Sequence, residues 1–314
     1  MVDAREWLGV YLRGVAMGCA DAVPGVSGGT IALITGIYER LIAAITAVDP
    51  DRIRRVLAGA KPANLPDARA AFLELDGPFL CVLGAGIATA IVTVLRIVEH
   101  LLEAAPVATF GFFFGLIAAS AVVLRSEVDL STSGRKAAAV VGFLAAFLTS
   151  GYAESVFGGG LGVVFVAGAI AVSAMVLPGI SGSLLLVILG QYERMTDALS
   201  AFIDGIVSAV AAGDPDPAIA AAPPVVVFLA GGVVGLFTVA HAVRRALEHR
   251  RAATVAFLVS LIVGALRAPV VEVDRTLAAT GGSWNAAAPE FLGVAVVGAV
   301  VVLVLDRYSG AIEY

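Results

Sequence analysis

Lysine, cysteine, histidine and charge are all scarce in this chain. Of its 314 residues 14% are charged, two are Cys and three are His. Lys61 and Lys136 are the only lysines, so eighteen of the twenty basic residues are Arg. Cys19 and Cys81 stand singly in apolar runs, which argues against a disulfide framework and a thiolate metal site. His100, His241 and His249 fall near the ends of expected helices and read as interfacial residues rather than metal ligands. No cofactor is expected. The basic residues are spread over short connections without a basic domain, which argues against nucleic-acid binding. Asp3, Arg5 and Glu6 at the start read against a cleavable signal peptide.

What the chain has in excess is apolar length. Hydrophobic residues make up 60% of it, and uncharged runs cover 77–95, 104–124, 137–153, 155–192 and 217–243. About 20 apolar residues in a helix cross roughly 30 Å of hydrocarbon. Two shorter runs, 252–266 and 291–305, need tilt or local thinning of the bilayer to span. The expected fold is all-α, a multi-pass protein of a prokaryotic cytoplasmic membrane.

Two segments are the same device written twice. Pro24-Gly25-Val26-Ser27-Gly28-Gly29 recurs as Pro178-Gly179-Ile180-Ser181-Gly182-Ser183, and Gly36, Tyr38, Glu39 and Arg40 recur as Gly190, Tyr192, Glu193 and Arg194. Between positions 24 and 40, nine of seventeen residues are identical at one constant offset of 154. Each copy places a helix breaker inside an apolar stretch. Backbone freed from a helix finds no water in a bilayer, so such breaks are tolerated where they line a cavity. Paired breaks in corresponding halves point to a transporter's binding site. The later helices echo at an offset of 145, where Thr109, Phe112, Leu116 and Ile117 meet Thr254, Phe257, Leu261 and Ile262.

The expected organisation is therefore a repeat of one broken hairpin plus three helices. Helices are expected at about 77–98, 105–125 and 135–152, then at about 223–245, 250–267 and 289–306, with broken segments at about 7–48 and 161–206. By residue this gives 1–134 for the first hairpin and two helices, 135–160 for the third helix and an external connection, and 161–314 for the second repeat. If both broken segments are hairpins and the termini are cytoplasmic, sixteen of the twenty basic residues lie inside; single crossings would leave roughly half there. The uncharged run 155–192 is 38 residues, roughly 57 Å as one helix and too long for one crossing. An odd number of crossings per repeat inverts the second copy, so the two tips enter from opposite faces.

Each tip ends where a second limb begins, near Gly28 and near Gly182. First-turn N–H groups and hydroxyls there suit an anion, phosphate above all. The expected binding set is Ser27, Gly28, Gly29 and Thr30 in the first copy and Ser181, Gly182 and Ser183 in the second. Arg13 pairs with Asp21, steers an anionic headgroup or snorkels to the cytoplasmic surface. Asp21 lies in the first tip. An intramembrane carboxylate is a functional candidate, so it either carries a coupling H+ or Na+ or caps the turn. Glu39 and Glu193 are further coupling candidates, with interfacial anchoring as the plainer reading.

These residues resemble a known family. The run from Ala20 to Thr30 followed by Gly36-Ile37-Tyr38-Glu39 resembles the first signature of the prokaryotic polyprenyl-phosphate translocases of the PopT type. Leu177-Pro-Gly-Ile-Ser-Gly-Ser183 with Gly190-Gln-Tyr-Glu193 resembles the second. The resemblance covers essentially the whole chain. It implies translocation of undecaprenyl phosphate, or dolichyl phosphate in an archaeon, for carrier recycling; the residues alone imply an inverted-repeat transporter with an anion site. Two rivals stand beside it. A membrane polyprenyl-diphosphate phosphatase uses a similar Pro-Gly-x-Ser element but follows the Ser with a phosphate-clamping Arg, where this chain has Gly28 and Gly182. A transporter of a small soluble anion reads alike in sequence.

Overall fold

The computed structural model describes residues 4–61, 64–149, 160–175 and 181–310. Within them the chain is helical throughout. The first broken segment comprises α1 (Ala4–Ala22), α2 (Gly28–Ile34) and α3 (Tyr38–Thr46). Two surface helices follow, α4 (Pro50–Ala58) and α5 (Leu65–Glu74), and then α6 (Gly77–Ala104), α7 (Pro106–Val123) and α8 (Ser133–Thr149). The second segment is α9 (Leu161–Met175), α10 (Gly182–Ile188) and α11 (Tyr192–Ala212), followed by α12 (Asp216–Ala265), α13 (Arg267–Thr280) and α14 (Trp284–Gly310). Six stretches among the described residues are long and apolar enough to cross a membrane: 77–104, 106–127, 192–212, 216–238, 245–280 and 284–307.

Four expected boundaries move. The helix expected at 135–152 is α8, described to Thr149 and starting two residues earlier. The helices expected at 223–245 and 250–267 are the two parts of α12, which kinks at Arg250 (φ −142°, ψ 47°). The limb expected to end near 206 continues as α11 to Ala212, because Gly205 packs against Ala218 and Gly213 (φ +72°) ends the helix in the left-handed region. The connection 49–76 is not a plain loop. Asp49 accepts the Arg52 N–H at 2.8 Å to cap α4, and Arg55 ties α4 to α5 through Asp67 (2.7 Å) and Glu74 (3.1 Å).

Both broken segments share a second break. Gly36 (φ +70°) and Gly190 (φ +62°) turn the chain after two helical turns, and the N–H groups of Ile37 and Gln191 bond the carbonyls of Ala32 and Leu186 at 3.0 and 2.8 Å. A positive φ at both positions explains why glycine stands there twice. The first segment returns to the end it came from, since Ile37, Tyr38 and Leu41 cluster with Trp7 and Val10 near the start of α1.

The helices pack through glycines, and the same contacts occur in both halves. A side chain on Gly14 of α1 would collide with the Leu83 carbonyl of α6, and one on Gly168 of α9 with the Phe228 carbonyl of α12. Gly86 against Tyr11 matches Gly231 against Phe165 in the same way. Across the halves, Gly298 of α14 meets the Phe112 carbonyl of α7, as Gly142 of α8 meets that of Phe257 in α12. Small residues let backbones approach closely where lipid offers no hydrophobic drive for association. The end of α6 and the start of α12 share one end of the bundle. Arg96 pairs with Asp204, Ser200 bonds Glu99 at 2.9 Å, and Gly205 packs on Ala218. At the other end Arg251 pairs with Glu127 at 3.0 Å.

Candidate functional site

The first tip lies against the middle of α7. Gly25, with φ +95°, faces the Leu116–Ile117 backbone so closely that a side-chain carbon would sit 3.1 Å from it. No other residue type adopts that φ against that wall without strain. Ser120 of α7 donates to the Gly25 carbonyl at 2.6 Å and holds the turn. Asp21 is 7% exposed, and its Oδ1 accepts the Gly28 N–H at 2.8 Å. The carboxylate therefore caps α2, which is one of the two roles open to it from sequence. Gly28 is consequently not a free donor, and a side chain there would strike the Asp21 carboxylate before it met any ligand.

The second tip reaches the first. Pro178, Gly179 and Ile180 lie outside the described residues, but the serines beyond them are placed. Ser181 Oγ accepts the Gly25 N–H and the Leu184 N–H, both at 3.3 Å. Ser183 Oγ lies 3.1 Å from Ser181 Oγ and donates to the Val23 carbonyl at 3.0 Å. Tyr192 donates its phenol to the Ala22 carbonyl at 2.7 Å and sets its ring edge-on to Phe113, 5.8 Å between centroids. Gly182 packs against the Ala171 carbonyl and Met175 rather than facing open space. α2 and α10 are seven residues each, so their dipoles are small. Side-chain hydroxyls, more than helix ends, remain as donors.

One hydroxyl is left over. Ser27 Oγ is buried and has no hydrogen-bond partner among the described residues. Ser27 lines a cavity of about 240 Å³ with Gly25, Thr30, Ser120 and Ser181 on its polar side and, on its apolar side, Val123 at the end of α7, Leu124 just after it, and Val302 and Leu305 of α14. Asp306 is the one charged side chain among the described residues lining it. A buried polar group without a partner costs about 1–3 kcal/mol, which makes this hydroxyl a candidate donor to a ligand.

The model of a family described as undecaprenyl phosphate translocase-like matches residues 17–285. A Vibrio cholerae protein named polyprenyl-phosphate transporter is 34% identical over 269 residues, covering 83% of this chain and 77% of that protein. A Staphylococcus aureus protein of the same name is 27% identical over 275 residues, covering 83% of this chain and 85% of that one. No solved structure matches. The chain belongs to the undecaprenyl phosphate translocase-like family.

The remaining expected residues do not gather at the tips. Arg13 is exposed on α1 and makes no ion pair with Asp21. Glu39 is exposed at the start of α3, where its neighbour Arg40 pairs with Asp76 (2.6 and 3.0 Å) and stacks 4.2 Å from the Phe79 ring centre. Glu193 lines a second cavity at the opposite end of α7. Of the expected binding set, Ser27, Thr30 and Ser181 line the tip cavity, and Gly29 and Ser183 are buried beside it. Sequence reasoning missed Ser120, whose one signal was a hydroxyl inside an otherwise apolar helix. It also missed that Tyr192 is a tip residue, although its recurrence with Tyr38 marked it. For this family member the signature residues thus divide into those that hold the two tips together and one hydroxyl, Ser27, that holds nothing.

Proposed function

We propose that this chain translocates a polyprenyl phosphate across the membrane, as its Vibrio and Staphylococcus relatives are named for doing. The phosphate is bound in the tip cavity by Ser27 and its prenyl chain lies along the apolar wall of α7 and α14. The observation that carries this reading is the buried, partnerless Ser27 hydroxyl where the two tips meet, in a cavity with a polar floor and apolar walls. The same cavity argues for a lipid over a small soluble anion, because half of its lining is aliphatic.

Binding without turnover fits the residues better than phosphatase chemistry. No Arg or Lys is among the residues lining the tip cavity, whereas phosphoryl transfer requires its developing charge to be neutralised. A site whose described residues offer hydroxyl donors and no cation, with the Asp306 carboxylate at its edge, holds an anion loosely enough to release it, as transport demands. The matched glycine contacts, with α6 ending where α12 begins, support two halves that run in opposite senses through the bilayer, and the distribution of basic residues favours both termini cytoplasmic. Asp21 serves the first tip as a cap, and H+ or Na+ coupling, if present, acts through that cap.

The test is transport. Purified protein in liposomes containing fluorescent polyprenyl phosphate should accelerate exchange between leaflets, scored by quenching from outside, and should release no phosphate from a polyprenyl diphosphate. Exchange no faster than in protein-free liposomes overturns the transport reading, and sustained phosphate release moves the chain to the enzyme reading.

A further inference from the structure

Two cavities flank the tips from opposite ends of α7. The tip cavity lies beside Ser120, Val123 and Leu124. At the other end, beside Phe110 and Phe113, two adjoining spaces of about 380 Å³ each share Glu193, Asp197, Glu272 and Arg275. Between this second space, the vestibule, and the tip cavity lie the Tyr192 phenol on the Ala22 carbonyl, the Ser183 hydroxyl on the Val23 carbonyl, and the Gly25 N–H on Ser181 Oγ. Phe113, edge-on to Tyr192, and the fully buried Leu116, against which Gly25 packs, stand beside these bonds. Tyr192 lines the vestibule and Ser181 lines the tip cavity, so the bonded residues span the layer between the two.

We propose that Tyr192, Ser181 and Ser183 form a latch that shuts the path between the tip cavity and the vestibule, and that a phosphate headgroup crosses when these three bonds release. This rests on the transport reading for the identity of the cargo, though not for the existence of the barrier. All three bonds go from side chains of the second half to backbone of the first tip, so they break together if the halves shift against each other. They are neutral bonds made within a buried layer, each of a size that thermal motion and a bound ligand can overcome. The vestibule carries five carboxylates, Glu99, Glu103, Glu193, Asp197 and Glu272, against the two guanidinium groups of Arg194 and Arg275 among its described lining residues. A headgroup entering it meets a net negative surface and leaves.

The latch is tested without any lipid cargo. A Val26→Cys reporter in a Cys19→Ser/Cys81→Ser background places one thiol on the tip, and Val26 lines the tip cavity. Asp214→Cys and Ser126→Cys serve as sidedness controls, because 214 follows α11 at the vestibule end and 126 follows α7 at the other. In proteoliposomes the reporter should react with an impermeant thiol reagent from the Ser126 side and barely from the Asp214 side. Tyr192→Phe keeps the ring on Phe113 and removes one hydroxyl. It should raise the Asp214-side rate roughly two- to tenfold, the worth of one neutral hydrogen bond. Ser183→Ala should do the same through a separate bond, and it decides the question if Tyr192→Phe does not fold. Unchanged Asp214-side rates in the folded variants, or equal rates from both sides with the latch intact, overturn the proposal. A shifted reporter with no polyprenyl-phosphate exchange keeps the latch and discards the cargo.

Discussion

Ser27 and Ser181 occupy the same place in the two signatures, and their removal should have opposite effects on stability. Ser181 Oγ receives two N–H groups, Gly25 and Leu184, each at 3.3 Å, and touches Ser183 Oγ at 3.1 Å. Ser181→Ala therefore strips a cap and orphans a buried donor, a loss of about 1–3 kcal/mol. Ser27 Oγ is buried with no partner, so the folded chain already bears the cost of desolvating it. Ser27→Ala removes that cost and leaves a gap one oxygen in size, so stability should hold or rise by up to about 2 kcal/mol. Binding should move the other way. A hydroxyl donated to a charged phosphate contributes about 1.5–3 kcal/mol, so affinity for a polyprenyl phosphate should fall roughly 10- to 150-fold in Ser27→Ala. The assays are the midpoint of thermal unfolding in detergent and equilibrium binding of a fluorescent short-chain polyprenyl phosphate. If Ser27→Ala destabilises as much as Ser181→Ala, or binds lipid phosphate like the unsubstituted chain, the reading of Ser27 as the waiting donor is refuted.

Three further outcomes are expected. Asp21→Ala, which orphans the Gly28 N–H, should cost about 1.5–3 kcal/mol of stability, and Asp21→Asn, which keeps an acceptor, less than half of that; unfolding midpoints that rank otherwise would remove the cap from Asp21. Gly168→Ala, which collides with the Phe228 carbonyl, should cost about 1–3 kcal/mol, whereas Gly9→Ala, with nothing within 4 Å, should gain up to about 1 kcal/mol from helix propensity. Single cysteines in 49–76 should label from the cytoplasmic side only and cysteines at 214–216 from outside only, and outside labelling of 49–76 in intact cells would break the proposed topology.

Much of the architecture was legible because its signals are collective. Hydropathy located α6, α7 and α14, since long uncharged runs have no other use. The offset of 154 announced recurring segments, and particular glycine contacts recur at corresponding positions, Gly14 on Leu83 and Gly168 on Phe228 among them. The surface helices α4 and α5 and the partly buried α13 were invisible to hydropathy because charged and apolar residues are mixed in them, although Asp49-Pro50 is a readable helix start. The breaks at Gly36 and Gly190 had their sign in the repeated glycine itself. The site was less legible. Sequence placed hydroxyls and glycines at the tips, but which donors are free depends on pairings across the halves. Gly28 is taken by Asp21 seven residues before it, while Ser181 is taken by Gly25 from 156 residues away. No local pattern encodes the second pairing.

The departures from repetition fall where the halves meet, and that placement follows from geometry. Helix contacts within a half, or mirrored between halves, are made twice by different atoms, so the same residues serve both copies, as Gly14 with Leu83 and Gly168 with Phe228 do. Contacts near the meeting point of the tips compete for the same space and cannot all be made at once. Here one copy makes them. Ser183 bonds the Val23 carbonyl, and its counterpart in the first copy, Gly29, has no hydroxyl with which to return the bond. Asp21 caps α2, and its counterpart before α10, Met175, packs on Gly182 instead. The sequence asymmetry thus biases the tips towards one arrangement by a handful of neutral bonds, each worth about 0.5–1.5 kcal/mol. A bias of a few kcal/mol is large enough to populate one state and small enough for a ligand with differential affinity to reverse. A scaffold held by glycine contacts, with a junction held by reversible hydroxyl bonds, confines motion to the layer between the tip cavity and the vestibule.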